Sequence, residues 1–137
     1  MTMDAARLVA EAERAIRGSP GPEDVIAEAW QAYELTEAVG RLLGSDHAVS
    51  AVRKGPATVL SAAGARPPRA VRVTAVRDPA GVLRALRTLL GEIGLALVGV
   101  TCTAEDEAGY WQCIEALDAV DEAKERVREL AAYGGGA

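Results

Sequence analysis

Two short runs of carboxylates are the first residues in this chain whose types and spacing suggest chemistry. Glu34 and Glu37 form one run, Glu115 and Asp118 the other. Acids three residues apart are neighbours on a helix surface, and two such pairs facing each other would hold a hard divalent cation such as magnesium. Other candidates are sparse. His47 is the only histidine, and no carboxylate or cysteine stands at a spacing that would make it a general base. A surface or capping role is expected for it. Cys102 and Cys113 are too few for a zinc site or a disulfide framework, and neither stands beside a base that would activate it as a nucleophile. Cys113 is expected in the core as a small hydrophobe, and Cys102 nearer the surface.

The patterns E-x-x-E and E-x-x-D are similar to those of the all-helical nucleotide pyrophosphohydrolases, which bind magnesium through such carboxylates. The separation between the two runs here is far longer than that family uses. Helical phase also weighs against a shared metal. At about 100° per residue, Glu34 lies nearly opposite the apolar stripe of Val25, Ala32, Thr36 and Val39, and Glu115 lies opposite Cys113, Leu117 and Val120. Both are expected to face solvent, which leaves only Glu37 and Asp118 on the flank of their helices. No metal or other cofactor is implied.

Beside those two acids come the large aromatics, in a chain that has no Phe. Trp30, Tyr33, Glu37, Tyr110, Trp111 and Asp118 together are the candidate ligand- or partner-binding set. Two placements are open for the aromatic members. They form an amphipathic patch able to hold another helix or a flat ligand, or they close the core between hairpins; the second is the simpler expectation, because among so many small side chains they dominate the contact area.

The elements that must position these residues are helices. Apolar residues at Ala5, Leu8, Val9, Ala12, Ala15 and Ile16 predict a helix over about 4–17, stopped by Gly18-Ser19-Pro20-Gly21-Pro22. Pro22, with Glu23 and Asp24 in the first turn, starts a second over 22–44, which Gly44 ends as a left-handed cap. Asp78-Pro79 announces a third over 79–102. Thr103, with Asp106 three residues on, resembles a capping box and opens a fourth over 104–133. Gly91, Gly94 and Gly99 in the third helix suggest close approach of another backbone, at a tight crossing or a dimer contact. The crossover, 45–78, holds a possible short helix over 48–60, and RAVRVTAV, whose Val71, Val73 and Ala75 alternate like a strand. With no second strand in the chain, that stretch is expected to lie extended on the bundle or to pair with its copy in a dimer.

WQAYELTEAV and WQCIEALDAV align with Trp111 standing 81 residues (111 − 30) after Trp30. A duplicated helical hairpin is the natural reading. The expected fold is all-α, a four-helix bundle of two helical hairpins joined by the long crossover, within a single domain spanning 1–137. Its connectivity is that of ferritin-like bundles, whose di-iron sites need Glu-x-x-His; the equivalent positions here carry no histidine.

With 137 residues, 50% of them hydrophobic and 26% charged, the chain is expected to bury a core unaided. A net charge of −5 argues against nucleic acid as partner. The cations are nevertheless concentrated: Arg53, Lys54, Arg66, Arg69, Arg72, Arg77, Arg84 and Arg87 face only Asp78 in the same stretch. Intramolecular charge balance with the acidic flanks is the expected outcome, an anion patch the alternative. An acidic N-terminus without a long apolar run predicts no secretion signal, and the longest apolar stretch, near Ile93 to Val100, is too short to span a bilayer. A cytoplasmic protein with no membrane association is expected.

EAWQAYELTEAVG and YWQCIEALDAVDEA, set in an Ala-, Gly- and Val-rich chain with Arg strongly favoured over Lys, resemble a family of small uncharacterised actinobacterial helical proteins of unknown function. That resemblance implies no activity. The leading expectation is a non-enzymatic helical interaction or scaffold protein, forming a homodimer or holding a protein partner through the aromatic patch or the third helix. The alternative is a magnesium-dependent phosphohydrolase or small-ligand-binding bundle built around Glu37, Asp118 and the central arginines.

Overall fold

A computed structural model describes residues 3–18, 21–44 and 67–135. His47, the possible helix over 48–60, and Arg53, Lys54 and Arg66 lie outside the described residues. Those described are all-helical, in five helices: α1 Ala5–Arg17, α2 Pro22–Leu43, α3 Arg69–Arg72, α4 Pro79–Cys102 and α5 Glu107–Gly135.

Local chemistry sets where the helices start. Asp4 accepts a hydrogen bond from Ala6 N (3.1 Å) at the head of α1, and Asp78 accepts from Gly81 N (3.1 Å) ahead of Pro79 in α4. Gly44 closes α2 with its N–H on the Gly40 carbonyl, but at φ −102° rather than in the left-handed region expected of it. The start of α5 also departs from expectation. Thr103 turns its hydroxyl back to the Val100 carbonyl (3.1 Å) and closes α4, so the cap falls to Asp106, whose carboxylate accepts from Gly109 N at 2.8 Å. Two capping residues three apart divided the two helix ends between them.

α2 and α4 pack on each other, with α1 against both on one side and α5 against both on the other. Asp4 pairs with Ala75 just before α4, and Arg17 bonds Glu92 within it, so α1 and α4 run the same way. α2 and α5 also run together: Tyr33 senses Glu122, and Gly40 meets Arg126 and Leu130. Leu8, Leu35, Leu86, Leu89, Leu90, Ile93 and Leu97 are completely buried, each worth about 1.5–3 kcal/mol of transfer free energy. Five of these seven lie on α4. That helix is long and apolar enough to cross a membrane by length and composition, a test that the core helix of a globular protein also passes.

The three glycines of α4 do not act alike. Among the described residues only Gly94 faces a neighbouring helix, where an added Cβ would come 3.9 Å from Val120 Cγ1 and 3.7 Å from Lys124 Nζ; at Gly91 and Gly99 it would meet no described atom within 4 Å. Both neighbours of Gly94 are side-chain atoms at ordinary van der Waals distance, so the expected close backbone approach is met at none of the three among the described residues.

RAVRVTAV is not a strand. Its first half is the single turn α3, which leaves Val71 69% exposed while Val73 is buried at 8%. The second half is extended and finds its partner within the chain, at the N-terminus: Thr74 N donates to the Met3 carbonyl (3.0 Å) and Ala75 O accepts from Ala5 N (2.9 Å). The internal repeat reappears as a pattern of burial. At matching positions Ala32 and Cys113, Leu35 and Ala116, Ala38 and Ala119, and Val39 and Val120 are buried, while Trp30 and Trp111, and Glu34 and Glu115, are exposed.

Candidate functional site

The carboxylate patterns do not converge. Glu34, Glu115 and Asp118 are exposed, Glu37 is half-buried, and among the described residues no three His, Cys, Asp or Glu side chains gather closely enough to hold a metal ion. Cys113 is buried and Cys102 exposed.

The aromatics form two separate edge-to-face pairs, Trp30 with Tyr33 at 6.0 Å between ring centroids and Tyr110 with Trp111 at 5.4 Å. Only Tyr33 packs on the core, where burial, followed by Glu122, Glu37 and Glu34, raises its phenol pKa. Trp30, Tyr110 and Trp111 are 40%, 41% and 54% exposed, so they do not close the core as expected. The signal was present in the spacing. Trp30 and Glu34 are four residues apart, as are Trp111 and Glu115, and residues four apart share a helix face; an outward Glu carries its Trp outward.

The arginines of the middle stretch divide into two groups with different roles. Arg69, only 7% exposed, is held by α1 and α2: Nε donates to Glu11 Oε1 (3.0 Å), Nη1 to Glu28 Oε1 (2.7 Å), and its backbone N to Gln31 Oε1 (3.1 Å). Arg72, one turn on, grips Glu11 with both terminal nitrogens at 2.9 and 3.1 Å. The Arg72 hydrogen bonds, against some desolvation and with help from Arg69, lower the Glu11 carboxyl from 4.5 to about 2. Two cations and two anions here balance, which is the intramolecular compensation expected of the acidic flanks. This cluster is a clamp for the returning crossover and has no free charge to offer a substrate.

Arg84 and Arg87 behave otherwise. They stand exposed on the first half of α4 with no ion-pair partner among the described residues. Between them and α5 opens a groove of about 1140 Å³, lined also by Leu43 of α2 and its cap Gly44. Leu83, Val127 and Leu130 form its apolar wall, and Lys124 and Arg128 add two further cations from α5. Lys124 does not pair with an acid among the described residues; Arg128 does, with Glu125 at 2.6 Å. These arginines stand not with Glu37 and Asp118, as expected of a ligand site, but with residues from the end of α2, the first half of α4 and the last turns of α5.

A last feature is the outer face of α4. Leu95 is 76% exposed and Val98 50%, between the open positions Gly91 and Gly99 and next to exposed Cys102. Among the described residues nothing covers Leu95 or Val98.

No curated protein and no solved structure matches the chain. A family model does, over residues 3–132, which takes in α1 to α4, all but the last three residues of α5, the Arg69 clamp and the groove. The chain therefore belongs to DUF6099, a family of unknown function.

Proposed function

We propose that this protein is a non-enzymatic interaction module of the cytoplasm, a four-helix bundle that pairs with a second copy through the outer face of α4. The observation that carries the reading is the exposure of Leu95 (76%) and Val98 (50%) between two glycines whose faces are open. Isolated exposed apolar residues are ordinary, but two on consecutive turns of one helix, without a charge between them, leave an apolar strip that a partner removes from water. The flanking glycines let a second helix approach closely along that strip.

A sedimentation series from micromolar to millimolar concentration tests this. The wild type is expected to move from monomer to dimer, and Leu95→Glu to stay monomeric with an unchanged thermal midpoint, because its side chain supports nothing inside the fold. A wild type that stays monomeric throughout, or a Leu95→Glu variant that dimerises equally well, rejects the reading.

A second reading is favoured by the exposed tryptophans. Trp and Tyr are the side chains that most often dominate protein interfaces, and Trp111 with Tyr110 offers a rigid aromatic pair at the head of α5. Association of a protein partner there would shift tryptophan emission to the blue; dimerisation along Leu95 and Val98 alone would not.

A further inference from the structure

We infer that the groove between α4 and α5 is a binding site for a single-chain amphiphile with an anionic head, a carboxylate or a phosphate monoester on an alkyl tail. Two independent properties of the groove select this class. Its wall is aliphatic, formed by Leu43, Leu83, Val127 and Leu130, and at about 1140 Å³ it is slightly larger than most small-molecule sites, roomy enough for an alkyl chain. Its rim is cationic on both long sides, Arg84 and Arg87 from α4 facing Lys124 and Arg128 from α5.

Charge complementarity decides the head group. Of the four cations only Arg128 has an acidic partner among the described residues. In a chain of net charge −5, such a cluster is a local reversal of the overall field. An anion at the rim is attracted from both sides, and two arginines three residues apart on one helix present guanidinium forks suited to a carboxylate or a phosphate. A simple inorganic anion would leave the aliphatic wall uncovered, and a neutral hydrocarbon would leave the rim unanswered. A ligand with both parts satisfies both. Gly91 also lines the groove, and an added Cβ there would meet no atom of the described residues within 4 Å.

Isothermal titration calorimetry on the full chain, with every amphiphile below its micellar concentration, tests the inference. Laurate and dodecyl phosphate are expected to bind one per chain. Octanoate is expected to bind more than tenfold more weakly, each buried methylene being worth about a factor of four. Dodecyltrimethylammonium, with the same tail and the opposite charge, and inorganic phosphate, a head without a tail, are expected to give no saturable heat. The double variant Arg84→Gln/Arg87→Gln should weaken laurate at least tenfold with its thermal midpoint unchanged, and Arg14→Gln, exposed on α1, should leave binding as it is. Equal binding of the cationic and anionic amphiphiles, no binding of laurate, or full binding by the double variant each overturns the proposal. So does binding to phosphatidylglycerol vesicles without binding of free laurate, since that places anion recognition on a lipid surface instead of in the groove.

Discussion

Replacing Glu11 by Gln removes the anion shared by Arg69 and Arg72 while keeping the side chain's shape. The carboxyl lies at about 2 in the folded protein against 4.5 for an unperturbed glutamate. At about 1.4 kcal/mol per pKa unit, the shift corresponds to at most about 3 kcal/mol of stability at neutral pH. Solvent reaches the Glu11 side chain, which is 25% exposed, and reduces the expectation to about 2 kcal/mol. Because the folded carboxyl holds its proton less tightly than the unfolded one, this contribution is complete above pH 4.5. It declines as pH falls through that value and is gone below about pH 2. Urea denaturation of wild type and Glu11→Gln at pH 7, 5, 4 and 3 should therefore show a gap near 2 kcal/mol that shrinks by more than half by pH 3. Arg72→Gln should lose most of the same pH dependence, since the hydrogen bonds of Arg72 are the leading cause of the shift. A gap of the same size at pH 7 and pH 3 would refute the assignment, for it would mean that Glu11 stabilises by packing and not by charge.

Further outcomes follow from single positions. At dilute, monomeric concentration Gly99→Ala should raise stability by about 0.5–1 kcal/mol in thermal unfolding, since the methyl group meets no described atom of its own chain and glycine costs that much inside a helix. Gly40→Val should lower it by about 1–3 kcal/mol, because even a Cβ would stand 3.2 Å from Arg126 Nη2 and 3.5 Å from Leu130 Cδ1. Asp4→Ala should cost more than Asp106→Ala, whose loss is one cap worth about 1 kcal/mol. Asp4 caps α1 and also accepts from Arg77 N at 3.0 Å, so chemical denaturation should separate the two variants. In the native protein a thiol reagent should label Cys102 rapidly and Cys113, at 1% exposure, only on unfolding; fast labelling of both would contradict the packing of α5.

The parts of the fold legible in the sequence were those written in local chemistry. Asp78-Pro79 marks the start of α4, and Pro22 that of α2, because a capping acid or a helix-initiating proline acts within three residues. Where two local signals compete, as at Thr103 and Asp106, sequence cannot say which helix end claims which residue. The turn at α3 was illegible for a different reason. Arg69 and Arg72 find Glu11 58 and 61 residues away and Glu28 41 away, and these pairings override the β-like alternation of the valines around them. The groove was hidden likewise. Arg84 and Arg87 were visible as unopposed cations, but their opposition to Lys124 and Arg128 across an aliphatic wall exists only once α4 and α5 are packed. For the aromatics, the acids four residues on already gave the answer, and composition misled by suggesting that large side chains must fill a core of small ones.

The parallel pairing of Met3–Ala5 with Thr74–Ala75 also governs how the protein can be handled. It fixes the head of α1 beside the start of α4, and Leu130 and Ala131 near the end of α5 border the same groove as Pro79 and Ala80. Both ends of the described chain thus emerge at one pole of the molecule, and the turn from Thr103 to Asp106 lies at the other. A circular permutant joining the ends by a short linker and opened in that turn would keep every helix intact. A tag or surface tether at either end would sit at the pole away from Leu95 and Val98, so immobilised protein is suited to measuring self-association.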